Sequence, residues 1–155
     1  MSRVQLALNV DDLNESIGFY SRLFGTKPAK VRPGYANFAI SQPPLKLILM
    51  ENPGQGGSVN HLGIEVADTD MVDAEQTRLA AAGLVSVDER DTTCCYARQD
   101  KFWVQGAPNG EQWEIYTVKA DSPTFYGEDS AQPCCAGSGQ DAATASTDPG
   151  GSCCG

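Results

Sequence analysis

All six cysteines of the 155-residue chain stand in adjacent couples: Cys94–Cys95, Cys134–Cys135 and Cys153–Cys154. Consecutive Cα atoms lie about 3.8 Å apart across a trans peptide, whereas a relaxed disulfide wants about 4.4–6.8 Å. A bridge between neighbours is therefore strained, and it closes no loop long enough to stabilise much. Bridges between different couples remain open on sequence alone. What neighbouring thiolates do well is chelate one soft, thiophilic centre. One such couple reads equally well as two small residues in a hairpin. Three couples with no isolated cysteine favour soft-metal or metalloid handling.

A second set of candidates carries harder donors. His61 is the only histidine. It opens the stretch His61-Leu-Gly-Ile-Glu-Val66, which matches Gln5-Leu-Ala-Leu-Asn-Val10 position by position. Glu114 sits between Trp113 and Ile115, where a merely solvated carboxylate is out of place and a buried one needs a partner such as a metal. Glu111 falls at the wet end of the same stretch. One imidazole, one carboxylate and one amide oxygen make an open three-ligand set, similar to the facial sites of non-haem Fe(II) enzymes with Gln in place of a second His. Taken singly, each residue has an ordinary structural reading. The symmetric placing of Gln5 and His61, with Glu114 following the Asn109-Gly110 turn, carries the joint case.

These residues need elements to position them. Each matched stretch alternates as a half-buried strand does, then runs through acidic residues into a helical pattern. Ile17, Tyr20 and Phe24 mark the first helix, with Gly25 as its stop. Met71, Ala74, Leu79 and Ala82 mark the second, ended by Gly83. Three strand patterns follow each helix: "PAKVR", "YANFAI" and "LKLILME", then "VSVDER", "KFWVQ" and "EQWEIYTV". Pro33-Gly34, Pro43-Pro44 and Pro108-Asn109-Gly110 punctuate them. The chain thus reads βαβββ twice, with modules over about 2–52 and 58–119 joined by the Gly54–Gly57 linker. Neither half covers its own sheet face, so the two are expected side by side. The predicted fold is α+β: paired βαβββ modules forming a curved mixed sheet with a concave metal site. The modules complete that cleft within one chain or exchange between two, giving a monomer or a homodimer. Cys94 and Cys95 fall between the sixth and seventh strands, in a loop able to close over the concave face.

The domain is expected over 1–120 and a flexible acidic tail over 121–155. From Asp121 onward there are five acidic residues and no Lys or Arg. From Ala131 the chain has neither aromatic nor branched aliphatic residues, too little apolar surface to offset its chain entropy. The net charge of −9 argues against nucleic acid and anionic membrane surfaces as partners. No apolar run approaches the ~20 residues of a membrane span. The start "MSRVQLALNVDD" lacks a signal-peptide layout. A cytoplasmic protein with reduced thiols is the expectation.

The paired modules, the ligand positions opening each first strand and the closing "PNGEQWEIYTV" strand resemble the vicinal oxygen chelate superfamily, which includes glyoxalase I and the extradiol dioxygenases. The resemblance covers about Ser2 to Lys119. Within that group "TTCCYARQDKFWV", "NHLGIEV" and "SRLFGTKPAK" are most similar to the cadmium-inducible-type proteins and the organoarsenical carbon–arsenic lyases. The resemblance implies an Fe(II)-dependent dioxygenase, with O₂ as co-substrate, that splits the carbon–arsenic bond of trivalent organoarsenicals and releases arsenite. It implies Gln5, His61 and Glu114 as metal ligands and Cys94–Cys95 as the arsenic holder. Tyr96, Phe102, Trp103 and Tyr116 are candidates for an apolar wall around the organic group. Arg90, Arg98 and Lys101 are candidates for favouring the thiolates, against the acidic Asp88, Glu89, Asp91 and Asp100.

Two other readings stand beside this one. A glyoxalase-type isomerase would want a further carboxylate ligand, yet "LKLILME" has no acid inside it; an extradiol enzyme would want His where Gln5 stands. A cadmium- or arsenite-binding protein without catalysis would use the cysteines and leave Gln5, His61 and Glu114 without a role. The tail couples Cys134–Cys135 and Cys153–Cys154 suit capture or transfer of arsenite or a soft metal.

Overall fold

Strand β1 (Arg3–Val10) sends Gln5, Ala7 and Asn9 to one buried face and Leu6, Leu8 and Val10 to the other, as period-two side chains must. Helix α1 (Leu13–Phe24) covers the second face with Leu13, Ile17, Tyr20 and Phe24. Asp12 caps it by accepting from Glu15 N at 2.8 Å, and Gly25 ends it at φ 62°. Strands β2 (Lys30–Arg32), β3 (Tyr35–Ile40) and β4 (Leu45–Glu51) complete the first module. The second repeats the plan with β5 (Val59–Glu65), α2 (Thr69–Ala81), β6 (Ser86–Cys94), β7 (Ala97–Val104) and β8 (Trp113–Asp121). This computed structural model describes residues 2–127. The tail cysteine couples, and the tail expected beyond 127, lie outside the described residues. Among the described residues no helix is long and apolar enough to cross a membrane.

All eight strands form one mixed sheet in the order β2-β3-β4-β1-β5-β8-β7-β6. Strands β1 and β5 pair antiparallel at its centre, and each is flanked by a parallel partner, β4 or β8. The order is therefore symmetric about a pseudo-twofold axis between β1 and β5. The sheet curls until its two edge hairpins touch: the Tyr96 hydroxyl donates to Pro33 O at 3.3 Å, and Lys30 Nζ donates to Tyr96 O at 3.0 Å. The expected α+β fold of two βαβββ modules on a curved mixed sheet is what forms, and both modules of one chain build the cleft.

Four details differ from the sequence reading. Helix α2 buries Val72 and Leu79, two turns apart, while Met71 and Ala74 face water. The Asp68 cap, accepting from Met71 N at 2.9 Å, sets that phase. The cysteines occupy no long loop: β6 runs to Cys94 and β7 starts at Ala97, leaving Cys95 and Tyr96 as a two-residue turn with φ 56° and 60°. A left-handed pair is the form a tight hairpin requires, normally with Asn or Gly. Polar "DERDTTC" extends as strand because Asp91, at φ 51°, takes up a bulge whose N–H donates to Asp100 Oδ1 at 2.7 Å. Packing also runs past residue 120, where Phe125 and Tyr126 lie against the thiol hairpin.

Candidate metal and dithiol site

The strand register gathers the hard donors. Gly63 pairs with Gln5 on one side and with Glu114 on the other, and His61 pairs with Ala7. Side chains from three adjacent strands thus converge on the concave face, and Gln5, His61 and Glu114 are all buried. Gln5 Nε2 lies 2.7 Å from Glu114 Oε1 and 3.0 Å from His61 Nε2, and His61 Nε2 lies 3.5 Å from Glu114 Oε1. Gly63 lets them pack this closely. A Cβ there would come within 3.1 Å of Glu114 Cγ and 3.3 Å of Gln5 Nε2.

Neighbouring side chains orient each donor. Asn60 donates Nδ2 to Asn9 Oδ1 at 3.0 Å, so its own Oδ1 faces His61 Nδ1 at 2.7 Å. That oxygen only accepts, so Nδ1 carries the proton and Nε2 turns its lone pair inward. Lys101, fully buried, donates Nζ to Glu114 Oε2 at 3.1 Å and leaves Oε1 facing Gln5 and His61. Burial pushes the Glu114 carboxyl up, but its partners, the Lys101 charge first among them, outweigh it and hold the group down to about 2. Glu114 is thus a carboxylate at neutral pH. The Tyr116 hydroxyl lies between Gln5 Oε1 and Glu65 Oε2.

By their chemistry these donors fit a divalent cation: an imidazole lone pair, a carboxylate oxygen and a carboxamide converge within 3.5 Å of one another. The set needs its amide. Among the described residues no group of three or more His, Cys, Asp or Glu side chains offers a metal site by itself.

The thiols arrive from the far end of the second module. Cys94 and Cys95 are buried with Sγ atoms 3.2 Å apart, in one apolar cluster with Ala7, Tyr35, Ile48 and Tyr96. The β6–β7 hairpin thus lays its dithiol on the concave face of the first module. Tyr96 is held there by Tyr35 and Phe125, each with a ring centroid 5.4 Å away. A cavity of about 200 Å³ joins the two centres: Cys94, Cys95, Gln5 and Glu114 all line it, with Tyr35 and Ile48 as apolar wall and Arg3, Lys30 and Lys46 as polar lining.

Four of the five sequence candidates thus line one cavity, and His61 contacts Gln5 and Glu114 of that set; their neighbours are redistributed. Lys101 pairs with Glu114, Arg90 with Asp73 at 2.8 Å, and Arg98 with Asp91 at 3.4 Å. The wall residues separate as well. Tyr96 lies beside the thiols, but Phe102 packs under α2. Trp103 meets the His61 ring edge-on at 5.6 Å. Tyr116 makes polar contacts. Sequence reading missed Gly63, Asn60, Tyr35 and Ile48. Only Gly63 carried a signal, a glycine inside a strand pattern, which marks a close approach.

A curled sheet of two βαβββ modules with donors at its central strands defines a protein class, and the family comparison agrees. Residues 3–115 match the glyoxalase/bleomycin resistance protein/dioxygenase superfamily, and the chain belongs to it. Among its relatives, the trivalent organoarsenical cleaving enzyme of Thermomonospora curvata is 55% identical over 155 residues, covering 99% of this chain and 100% of that one. The cadmium-induced protein CadI of Mycobacterium tuberculosis is 66% identical over 125 residues, 81% of this chain and 82% of its own. In fold the chain is similar to the Mn(II)-bound glyoxalase from Novosphingobium aromaticivorans, with TM-score 0.54, 18% identity and coverage of 79% and 42%.

Proposed function

We propose that this protein is an Fe(II)-dependent dioxygenase that cleaves the carbon–arsenic bond of trivalent organoarsenicals, with O₂ as co-substrate, and releases arsenite. One observation carries the reading: the Cys94–Cys95 dithiol lines the same cavity as Gln5 and Glu114 of the three-donor set. The identity of 55% over the full length of an organoarsenical cleaving enzyme supports it.

A trivalent arsenic with one organic group has two exchangeable hydroxyls. Each Cys forms one sulfur–arsenic bond, and each hydroxyl leaves as water with a thiol proton. Two bonds to a rigid hairpin fix the arsenic and the direction of its carbon substituent, and such positioning lowers the barrier by removing freedom in advance. Tyr35, Ile48 and Tyr96 keep water from the bound group. Gln5, His61 and Glu114 would hold Fe(II), which when bound supplies the binding and activation of O₂. Lys101 and Asn60 keep Glu114 charged and His61 in its ligand tautomer, and such outer partners matter almost as much as the ligands.

The test is anaerobic loading with Fe(II), then air and methylarsonous acid, with arsenic species followed by chromatography. Many turnovers to arsenite, dependent on both iron and oxygen, are expected. Stoichiometric binding with no carbon–arsenic cleavage would leave the second reading, a thiol sequestrant. The 66% identity to a protein named for induction by cadmium keeps that alternative in view. Replacing Cys134, Cys135, Cys153 and Cys154 discriminates further: an enzyme keeps its turnover, whereas a sequestrant loses binding capacity.

A further inference from the structure

We propose that Tyr116 is a positioning residue: through a hydrogen-bond relay anchored on Glu65, it turns the oxygen end of the Gln5 amide into the site. The inference rests on Gln5 being a metal ligand, as in the function proposed above.

A carboxamide has the same outline either way round, so its hydrogen-bond partners decide which end faces where. In the arrangement seen here Gln5 Nε2 faces His61 Nε2 at 3.0 Å and Glu114 Oε1 at 2.7 Å, while Oε1 faces the Tyr116 hydroxyl. The amide –NH₂ bridges two acceptors, the work a cation would otherwise do. The far end is contested. Tyr116 has one proton and two acceptors, Gln5 Oε1 and, at 2.8 Å, Glu65 Oε2. Glu65 is a strong claimant, a carboxylate held between Arg3 at 2.9 Å and Lys46 at 3.1 Å.

The reversed amide removes the contest. Gln5 Nε2 then donates to the Tyr116 oxygen, and the Tyr116 proton goes to Glu65. The cost moves to the other end, where Gln5 Oε1 joins Glu114 Oε1 and the His61 lone pair. Three converging acceptors without a hydrogen between them need a cation. Relay and metal therefore favour one orientation, and the bare site favours the other. Tyr116 and Glu65 set the balance between them, so they tune metal affinity without touching the metal. The equivalent of Tyr116 in the first module is Met50, so the relay has no counterpart there.

The test uses the full chain and Mn(II), which prefers oxygen and imidazole to thiolate, with free Mn(II) read by electron paramagnetic resonance. Wild type is compared with His61→Ala, Tyr116→Phe, Gln5→Glu and the double variant Gln5→Glu/Tyr116→Phe, with folding checked by circular dichroism. Tyr116→Phe is expected to weaken Mn(II) binding about tenfold, the low end for an outer-shell partner. In the Gln5→Glu background both ends of residue 5 are oxygen, and the same change should cost less than about twofold, since no amide remains to orient. Wild-type affinity in Tyr116→Phe, or an equal loss in both backgrounds, overturns the relay. Equal, weak binding by wild type and His61→Ala overturns the metal reading itself. Should Tyr116→Phe not fold, Glu65→Ala serves: it leaves the Tyr116 proton only Gln5 Oε1, and a comparable loss is expected. Wild-type affinity there overturns the relay too.

Discussion

On the concave face of the first module Ile48 pairs with Ala7; at the equivalent place in the second, Glu114 pairs with Gly63. Following the registers outward, Tyr35 corresponds to Lys101 and Met50 to Tyr116. One backbone plan thus carries Tyr35, Ile48 and Met50 in one half where the other carries Lys101, Glu114 and Tyr116, while Arg3, Lys30 and Lys46 of the first half supply charge at the cavity's edge. Only the first strands are matched in polarity, with Gln5 opposite His61. The edge hairpins diverge in the same sense. Pro33-Gly34 turns where Gly34 takes φ 67° at no steric cost, whereas Cys95 and Tyr96 adopt left-handed backbone with full side chains. The position that would hold a fourth polar ligand is Ile48, and the dithiol packs against it. On the proposed function, the half that carries Glu114 is the metal side and the half that carries Ile48 is the seat for a thiol-bound group.

If the halves divide the work in this way, each can be broken without the other. His61→Ala should abolish Mn(II) or Fe(II) binding and cut turnover by ~1000-fold or more, since all dioxygen chemistry depends on the metal side. With Cys134, Cys135, Cys153 and Cys154 replaced, it should leave one-to-one arsenic binding by Cys94–Cys95 intact. Cys95→Ser should do the reverse: metal affinity within about twofold, and kcat/KM down by ~100-fold, because single-point attachment no longer orients the substrate. Isothermal titration with each ligand, paired with arsenic speciation, checks both. Loss of both affinities in either variant would break the division.

The next effect concerns stability. Lys101→Met strands the buried Glu114 carboxylate and should cost about 3 kcal/mol in urea unfolding, as removing one partner of a buried pair does. Glu114 sits at about 2 in the folded chain, below its ordinary value of ~4.3 when unfolded. Its contribution is therefore complete above the ordinary value and is lost as pH falls from there towards 2. Without Lys101, burial is less opposed, the folded value rises, and the acid-unfolding midpoint should move to higher pH. Circular dichroism against pH reads the shift. The matching change in the first half, Tyr35→Phe, should leave that midpoint where it is.

The smallest effect sharpens the comparison at one atom. Gly63→Ala puts a Cβ within 3.1 Å of Glu114 Cγ and 3.3 Å of Gln5 Nε2, and should lower Mn(II) affinity by roughly five- to tenfold by displacing both donors. The reciprocal Ala7→Gly should cost only about 0.5–1 kcal/mol of stability through chain entropy and leave metal affinity unchanged. Equal metal affinities for the two variants would show that the close packing over Gly63 plays no part in binding.

Much of this molecule is written locally. The strand alternation around Gln5 and His61, the Asp12 and Asp68 caps and the glycine stops depend on residues within a few positions of one another, and the repeat is read by matching two such local patterns. They determined two βαβββ modules and pointed to Gln5, His61, Glu114 and Cys94–Cys95. Tertiary structure decided the rest. Lys101 lies six residues from Cys95 in the sequence, but period-two alternation and the pairing of β7 with β8 carry it to Glu114. Tyr116 reads in sequence as an apolar wall, but sheet curvature and the β1–β5 register set its hydroxyl between Gln5 and Glu65. The dithiol faces Tyr35 and Ile48, some fifty residues earlier in the chain, because the two hairpin tips meet across the cleft. Register and curvature arise from pairings between distant strands, so the partners of a side chain are settled only when the sheet closes.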